Sequence, residues 1–250
     1  MQMIQFTWVV KLKSKDKEKQ KNMTNNESMK SYKKYWIMLL ITAIIVCLIM
    51  FGIVQYFRCL AMKVANTPLA KPVIYLYPEE ATSVVVKLGN EQLLTCSYPM
   101  YNGGWEVIAY PDGTLIDINT QRELYSLYWE GKRGPSTDMK EGFVVRGKDV
   151  ATFFEEKLDI LGLTNKEAQE FIIYWLPKLQ NNEYNYIRFA TMEEINKHMP
   201  LEISKSPDSI IRILMQYKPL KSKIDVLEQK LETPKREGFV VVEWGGTEIK

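Results

Sequence analysis

Two hydrophobic rhythms divide the chain. From Tyr35 to Phe57 (YWIMLLITAIIVCLIMFGIVQYF) 23 consecutive positions carry no formal charge. A helix of that length, at about 1.5 Å per residue, reaches roughly 34 Å and spans a hydrocarbon core of about 30 Å. Tyr35, Trp36 and Tyr56 stand at its ends, where amphipathic rings favour the headgroup level. The pattern predicts a transmembrane helix over 35–58.

Beyond Pro72 the period shortens. VIYLY (73–77), SVVVKL (83–88) and LLTCSY (93–98) read as strands joined in antiparallel hairpins, and WEVIAY (105–110) with LIDI (115–118) as another hairpin around a Pro-Asp-Gly turn. YSLYWE (125–130) closes this strand-rich half. The period then becomes helical. Asp149 can cap a helix carrying Val150, Phe153, Phe154, Leu158 and Leu161, which Gly162 closes. Thr164 and Glu167 form a capping box for a second helix with the stripe Ala168, Phe171, Ile172, Trp175, Leu176 and Leu179. Pro177 lacks a backbone donor, so that helix should kink or stop there. YNYIRF (184–189) returns to strand. Thr191 and Glu194 cap a short helix ending near His198, and SIIRILMQY (209–217) and GFVVVEW (238–244) are the last strands. The whole predicts an α+β fold: an N-terminal transmembrane helix, then a mostly antiparallel sheet with two main helices. Its parts are a basic, unstructured tail (1–34), the span (35–58), a stalk (59–71) and a folded domain (72–250).

Charge sharpens this division. Residues 1–71 hold 12 Lys and Arg against 3 acids, whereas 72–250 hold 21 against 27. The folded part is therefore acidic, which argues against nucleic acid as its partner, because phosphate neutralisation needs a cationic surface. Lys30, Lys33 and Lys34 directly precede the span, with six more lysines further back, and only Arg58, Lys63 and Lys71 follow it closely. The positive-inside rule then puts the N-terminus in the cytoplasm and the C-terminal domain outside the cell membrane. The bilayer is the expected partner of residues 35–57. The apolar run exceeds the usual signal-peptide core of about 7–15 residues, which favours an uncleaved anchor, although Cys59 and Ala61 form a tolerable cleavage pair. Met29 opens a compact leader (MKSYKKYW) and is an alternative start to Met1.

The stretches KPVIYLYPEE (71–80), GWEVIAYPDGTL (104–115), LYWEG (127–131), EAQEFIIYWLPKL (167–179), PDSIIRI (207–213) and GFVVVEWGGTEI (238–249) together resemble an uncharacterised family of exported or membrane-anchored bacterial proteins. The resemblance covers nearly all of 71–250. It implies export and the domain boundary, and it carries no activity, cofactor or catalytic residue.

Candidate chemistry is sparse. Two strands end in Trp beside Glu followed by Gly: Trp129-Glu130-Gly131 and Glu243-Trp244-Gly245. Alternation puts Glu243 on one face with Phe239 and Val241. If that face is buried, the ionised carboxylate is disfavoured unless a cation pairs with it. One reading makes Glu130 and Glu243 an acid and base flanking a glycan, with Trp129 or Trp244 as a stacking platform. The other, and the commoner arrangement, pairs each carboxylate with Arg146, Arg188 or Arg212 to fix strand register. Trp129, Trp244, Arg146 and Arg212 are the candidate binding residues. Cys96 and His198, the domain's single Cys and His, lack a nucleophile context; Cys96 reads as a small hydrophobe in an apolar strand, and a Cys59–Cys96 disulfide would need a juxtamembrane partner. No metal-ligand spacing and no nucleotide loop occurs, and nothing points to a cofactor. The function these observations favour is an extracytoplasmic binding or interaction module of the cell envelope, with an envelope glycan or protein as partner; a glycan hydrolase using Glu130 and Glu243 is the alternative.

Overall fold

The alternating runs become strands because β-branched and aromatic side chains at every second position cover a pleated surface. The computed structural model describes residues 34, 36–58, 68–132, 134–135 and 137–249. They fall into two units, divided at Ala61 and Met62. The first contains helix α1 (Trp36–Arg58), 23 residues that include an 18-residue stretch with a mean hydropathy of 3.1, and every side chain is exposed. It is long and apolar enough to cross a membrane. The tail 1–33 and the greater part of the stalk, Cys59 and its disulfide included, lie outside the described residues.

The second unit is the α+β domain. Its strands are β1 (Leu69–Tyr77), β2 (Thr82–Leu88), β3 (Leu94–Tyr98), β4 (Trp105–Ala109), β5 (Leu115–Asp117), β6 (Glu123–Leu124), β7 (Leu127–Gly131), β8 (Glu141–Arg146), β9 (Tyr184–Phe189), β10 (Leu201–Ile203), β11 (Ser209–Leu220), β12 (Leu227–Glu228) and β13 (Val240–Glu248). Its helices are α2 (Val150–Ile160), α3 (Asn165–Leu179) and α4 (Met192–His198). An eight-stranded sheet runs in the order β12-β8-β9-β11-β13-β1-β7-β3, and a five-stranded sheet in the order β10-β2-β4-β5-β6. All pairings are antiparallel except β11 with β13 and β12 with β8. The α+β class and the mostly antiparallel sheets agree with the sequence reading.

The large sheet buries both faces. On one, Val73, Tyr75, Ile187, Ile213, Val242 and Trp244 meet Phe154 and Leu158 of α2 and Phe171, Trp175 and Leu179 of α3. On the other, Ile74, Leu76, Leu127, Trp129, Leu214 and Val241 meet Val84, Val86, Trp105 and Val107 of the small sheet and Ile195 of α4. Helices, large sheet and small sheet thus form three layers.

Four local expectations are corrected. First, β1, β2 and β3 do not form hairpins with one another: β1 lies between β13 and β7, β2 between β10 and β4, and β3 pairs with β7. The chain alternates between the two sheets. Second, the first strand of the domain begins at Leu69 rather than after Pro72. Leu69 is 2% exposed and pairs with Thr247 and Gly131, while a bulge between Ala70 and Val73, with Lys71 at φ 51°, accommodates the proline that cannot donate to a ladder. Third, α3 passes Pro177 and ends at Leu179. The carbonyl that proline leaves without its donor belongs to Ile173, which is exposed and so open to water. Fourth, Asp149 stands at the N-cap of α2, but its side chain makes no capping hydrogen bond. Both capping boxes, Thr164 with Glu167 and Thr191 with Glu194, are present.

Candidate functional site

The parallel pairing of β11 with β13 puts Arg212 opposite Glu243. Both side chains turn to the small-sheet face, among Leu214, Phe239 and Val241, as alternation requires. Glu243 is 4% and Arg212 6% exposed. A buried carboxylate needs a cation, and Arg212 supplies it: its Nε donates to Glu243 Oε2 at 2.6 Å. Trp129 Nε1 donates to the other carboxylate oxygen at 3.0 Å, and Arg212 Nη1 donates to Asn196 Oδ1 on α4 at 2.7 Å. Three strands and one helix are tied through these two residues. A cavity of ≈ 10 Å³ adjoins them, walled by Leu69, Trp129, Ile195, His198, Met199 and the β1 bulge at Pro72.

Glu130 is not part of this arrangement. It alternates with Trp129, so it turns to the helix-bearing face with Tyr128. Two carboxylates on opposite faces of one sheet cannot flank a glycosidic bond. The indoles divide the same way. Trp129 is 1% exposed in the small-sheet core, and Trp244 is fully buried on the helix side, its ring centroid 5.4 Å from that of Phe171. Neither presents a face to a sugar.

The other arginines have separate tasks. Arg188, 7% exposed, donates to Glu194 at 2.9 Å, to Gln216 at 2.9 Å and to Glu141 at 3.4 Å. It anchors α4 to β9. Arg146 is exposed at the end of β8, on the wall of an open groove with Asp149, Glu156 and Lys223. Cys96 is exposed on the edge strand β3, not in an apolar strand interior. It pairs with Glu130 and so turns to the helix side, whereas His198 lines the cavity on the opposite side. They do not form a nucleophile pair. Among the described residues, no group of three or more His, Cys, Asp and Glu is placed to hold a metal ion.

One cluster escaped the sequence reading. On the helix side, Tyr75 donates to Glu170 at 2.7 Å, stacks on Tyr77 at 6.3 Å and lies 6.4 Å from Tyr125. Burial pushes the Tyr75 hydroxyl far above its usual 10.0, and Glu170 reinforces the shift. Burial raises Tyr77 as well, with Glu167 adding to it, and Tyr128, with Glu130 adding to it. These hydroxyls are held neutral. Cations lie over two of the rings, Lys71 over Tyr174 at 4.7 Å, Lys178 over Tyr174 at 4.3 Å and Arg236 over Tyr77 at 5.2 Å, whereas Tyr125 is exposed. Arg236 also forks onto the buried Glu167 at 2.9 and 3.1 Å. The signal was present as Tyr75 and Tyr77 two apart on a strand, and Glu167, Glu170 and Tyr174 three and seven apart on a helix. The cluster packs α3 to the sheet, with Tyr125 exposed at its margin.

Comparisons with known protein families, curated proteins and solved structures find no match.

Proposed function

We propose that the chain is a single-pass membrane protein whose basic N-terminal segment faces the cytoplasm and whose α+β domain works outside the cell membrane as a binding or interaction module. One observation carries the reading: α1 carries no charge on any face from Trp36 to Phe57, and every one of those side chains is exposed. A helix of that kind has no protein core to enter, so lipid is its natural solvent. The lysines before it and their scarcity after it support this direction.

A binding role fits the domain better than hydrolysis. The strongest carboxylate, Glu243, is sealed by Arg212 and Trp129, and Glu130 lies on the other side of the sheet. A glycosidase needs its two carboxylates about 5–10 Å apart in one cleft. The partner is an envelope protein or glycan met on the outer surface of an acidic domain.

Fractionation and protease protection test this together. The full-length chain should pellet with membranes, resist high salt and dissolve only in detergent. Protease added to intact spheroplasts should remove the C-terminal domain. A chain soluble without detergent refutes the anchor; a protected domain beside a digested exterior control refutes the orientation.

A further inference from the structure

We propose that the cavity beside the Arg212–Glu243 pair is a binding site for one water molecule, which completes the hydrogen bonding of Arg212. The inference concerns the interior of the domain and does not depend on the membrane reading.

The first observation is an unfinished donor. Two of the three guanidinium nitrogens have partners: Nε bonds Glu243 and Nη1 bonds Asn196. Nη2 is buried without a protein partner. A charged N–H removed from water and left without an acceptor is costly, and buried donors are nearly always satisfied by protein or by ordered water. The second observation is space at the right place. Arg212 and Glu243 both line the cavity with Trp129 and His198, and Leu69, Ile195, Met199 and Leu214 make the apolar part of its wall.

Size and charge choose the ligand. A volume of ≈ 10 Å³ is about one water-sized sphere. It excludes a sugar, a nucleotide or a carboxylate metabolite. The guanidinium and the carboxylate offset one another, so the pair itself draws neither a halide nor a metal cation into the cavity. Water also needs two or more polar partners. Arg212 Nη2 supplies a donor. Each Glu243 oxygen accepts one described bond and keeps further acceptor capacity. A molecule that accepts from the arginine and donates to the glutamate closes the network. The cavity lies beside the bulge at Ala70–Val73, with Pro72 and Gly245 in its wall.

Diffraction from crystals of the full-length chain in lipid, at a resolution that shows ordered water, tests the site. The expected result is a single isolated peak about 2.7–3.2 Å from Arg212 Nη2 and at the same range from a Glu243 oxygen. A cavity without density, a direct bond from Nη2 to a protein acceptor, or density that refines only as a halide, a metal or a larger molecule would each overturn the proposal.

Discussion

The two faces of the large sheet are equally buried, yet they are held by different physics. The helix side is an aromatic core in which Phe154, Phe171, Trp175 and Trp244 meet edge to face or tilted, at centroid distances between 5.2 and 6.1 Å. The small-sheet side is richer in aliphatic side chains, with Trp105, Trp129 and Phe239 among them, and admits a buried ion pair, Arg212 with Glu243. Apolar packing rewards any arrangement that fills space, whereas an ion pair rewards one register only. In a sheet where β11 and β13 lie parallel, with no turn to set their alignment, Arg212 opposite Glu243 supplies the alignment by charge.

Substitutions on each face sharpen that contrast. The largest effect belongs to the helix side. Phe171→Ala removes a ring that touches three aromatic neighbours, with no exposed side chain to collapse into the gap. It should destabilise the domain by about 4 kcal/mol, read as a shift in the urea midpoint of tryptophan fluorescence. Arg212→Met comes next, at about 3 kcal/mol, because it strands Glu243 in an apolar wall. The informative experiment is the double variant Arg212→Met with Glu243→Met. It should recover most of the loss, to within about 1 kcal/mol of the parent. If the double variant is as unstable as the sum of the singles, the two residues are not coupled and the argument that charge sets the register fails.

The same contrast explains what could be read from the sequence. The helices and their capping boxes were legible because caps and stripes are local: Thr164 and Glu167 are three residues apart. The burial of Trp175 was legible from its place on the helical stripe, whereas Trp129 and Trp244, candidates for binding, are both buried. The need of Glu243 for a cation was legible, and Arg212 was one of three named candidates. The choice among them was not legible, because it depends on β11 lying beside β13, a pairing of strands far apart in sequence. The assignment of β1, β2 and β3 to alternate sheets failed for the same reason: strands with similar hydrophobic alternation fit either layer. Cys96 was misplaced because an edge strand keeps the composition of an inner one while exposing more of it. The Glu130–Glu243 dyad failed on parity, which no single strand reveals. Only the full order β13-β1-β7, with its bulge, shows that the two carboxylates turn opposite ways.

Capping gives a smaller effect. Thr164→Ala frees the N–H of Glu167 at the start of α3 and should cost about 1 kcal/mol. Glu167 keeps its fork with Arg236, so the helix should stay docked. Unchanged near-ultraviolet dichroism with a lowered urea midpoint is the expected pair of readings. Loss of the dichroism would mean that the cap, and not the arginine, holds α3 to the sheet.

The smallest effect is a pH dependence, on the small-sheet side. Burial alone would raise the Glu194 carboxyl, but the hydrogen bond from Arg188 and the amide of Thr191 outweigh it and hold the group below its usual 4.5. A carboxyl lowered in the folded state contributes stability that is complete above the unfolded value and disappears as pH falls through the folded one. The domain should therefore lose stability below about pH 4.5, where Arg188 loses its closest charge and α4 its capping box. About a third of the Glu194 side chain is exposed, so solvent screens the pair and keeps the change small. Glu194→Gln should be slightly less stable at neutral pH and should flatten this acid limb when urea midpoints are followed from pH 7 downward. A limb that persists unchanged in the variant would assign the acid sensitivity to other carboxyls, and with it remove Arg188–Glu194 from the devices that hold α4 over the buried pair.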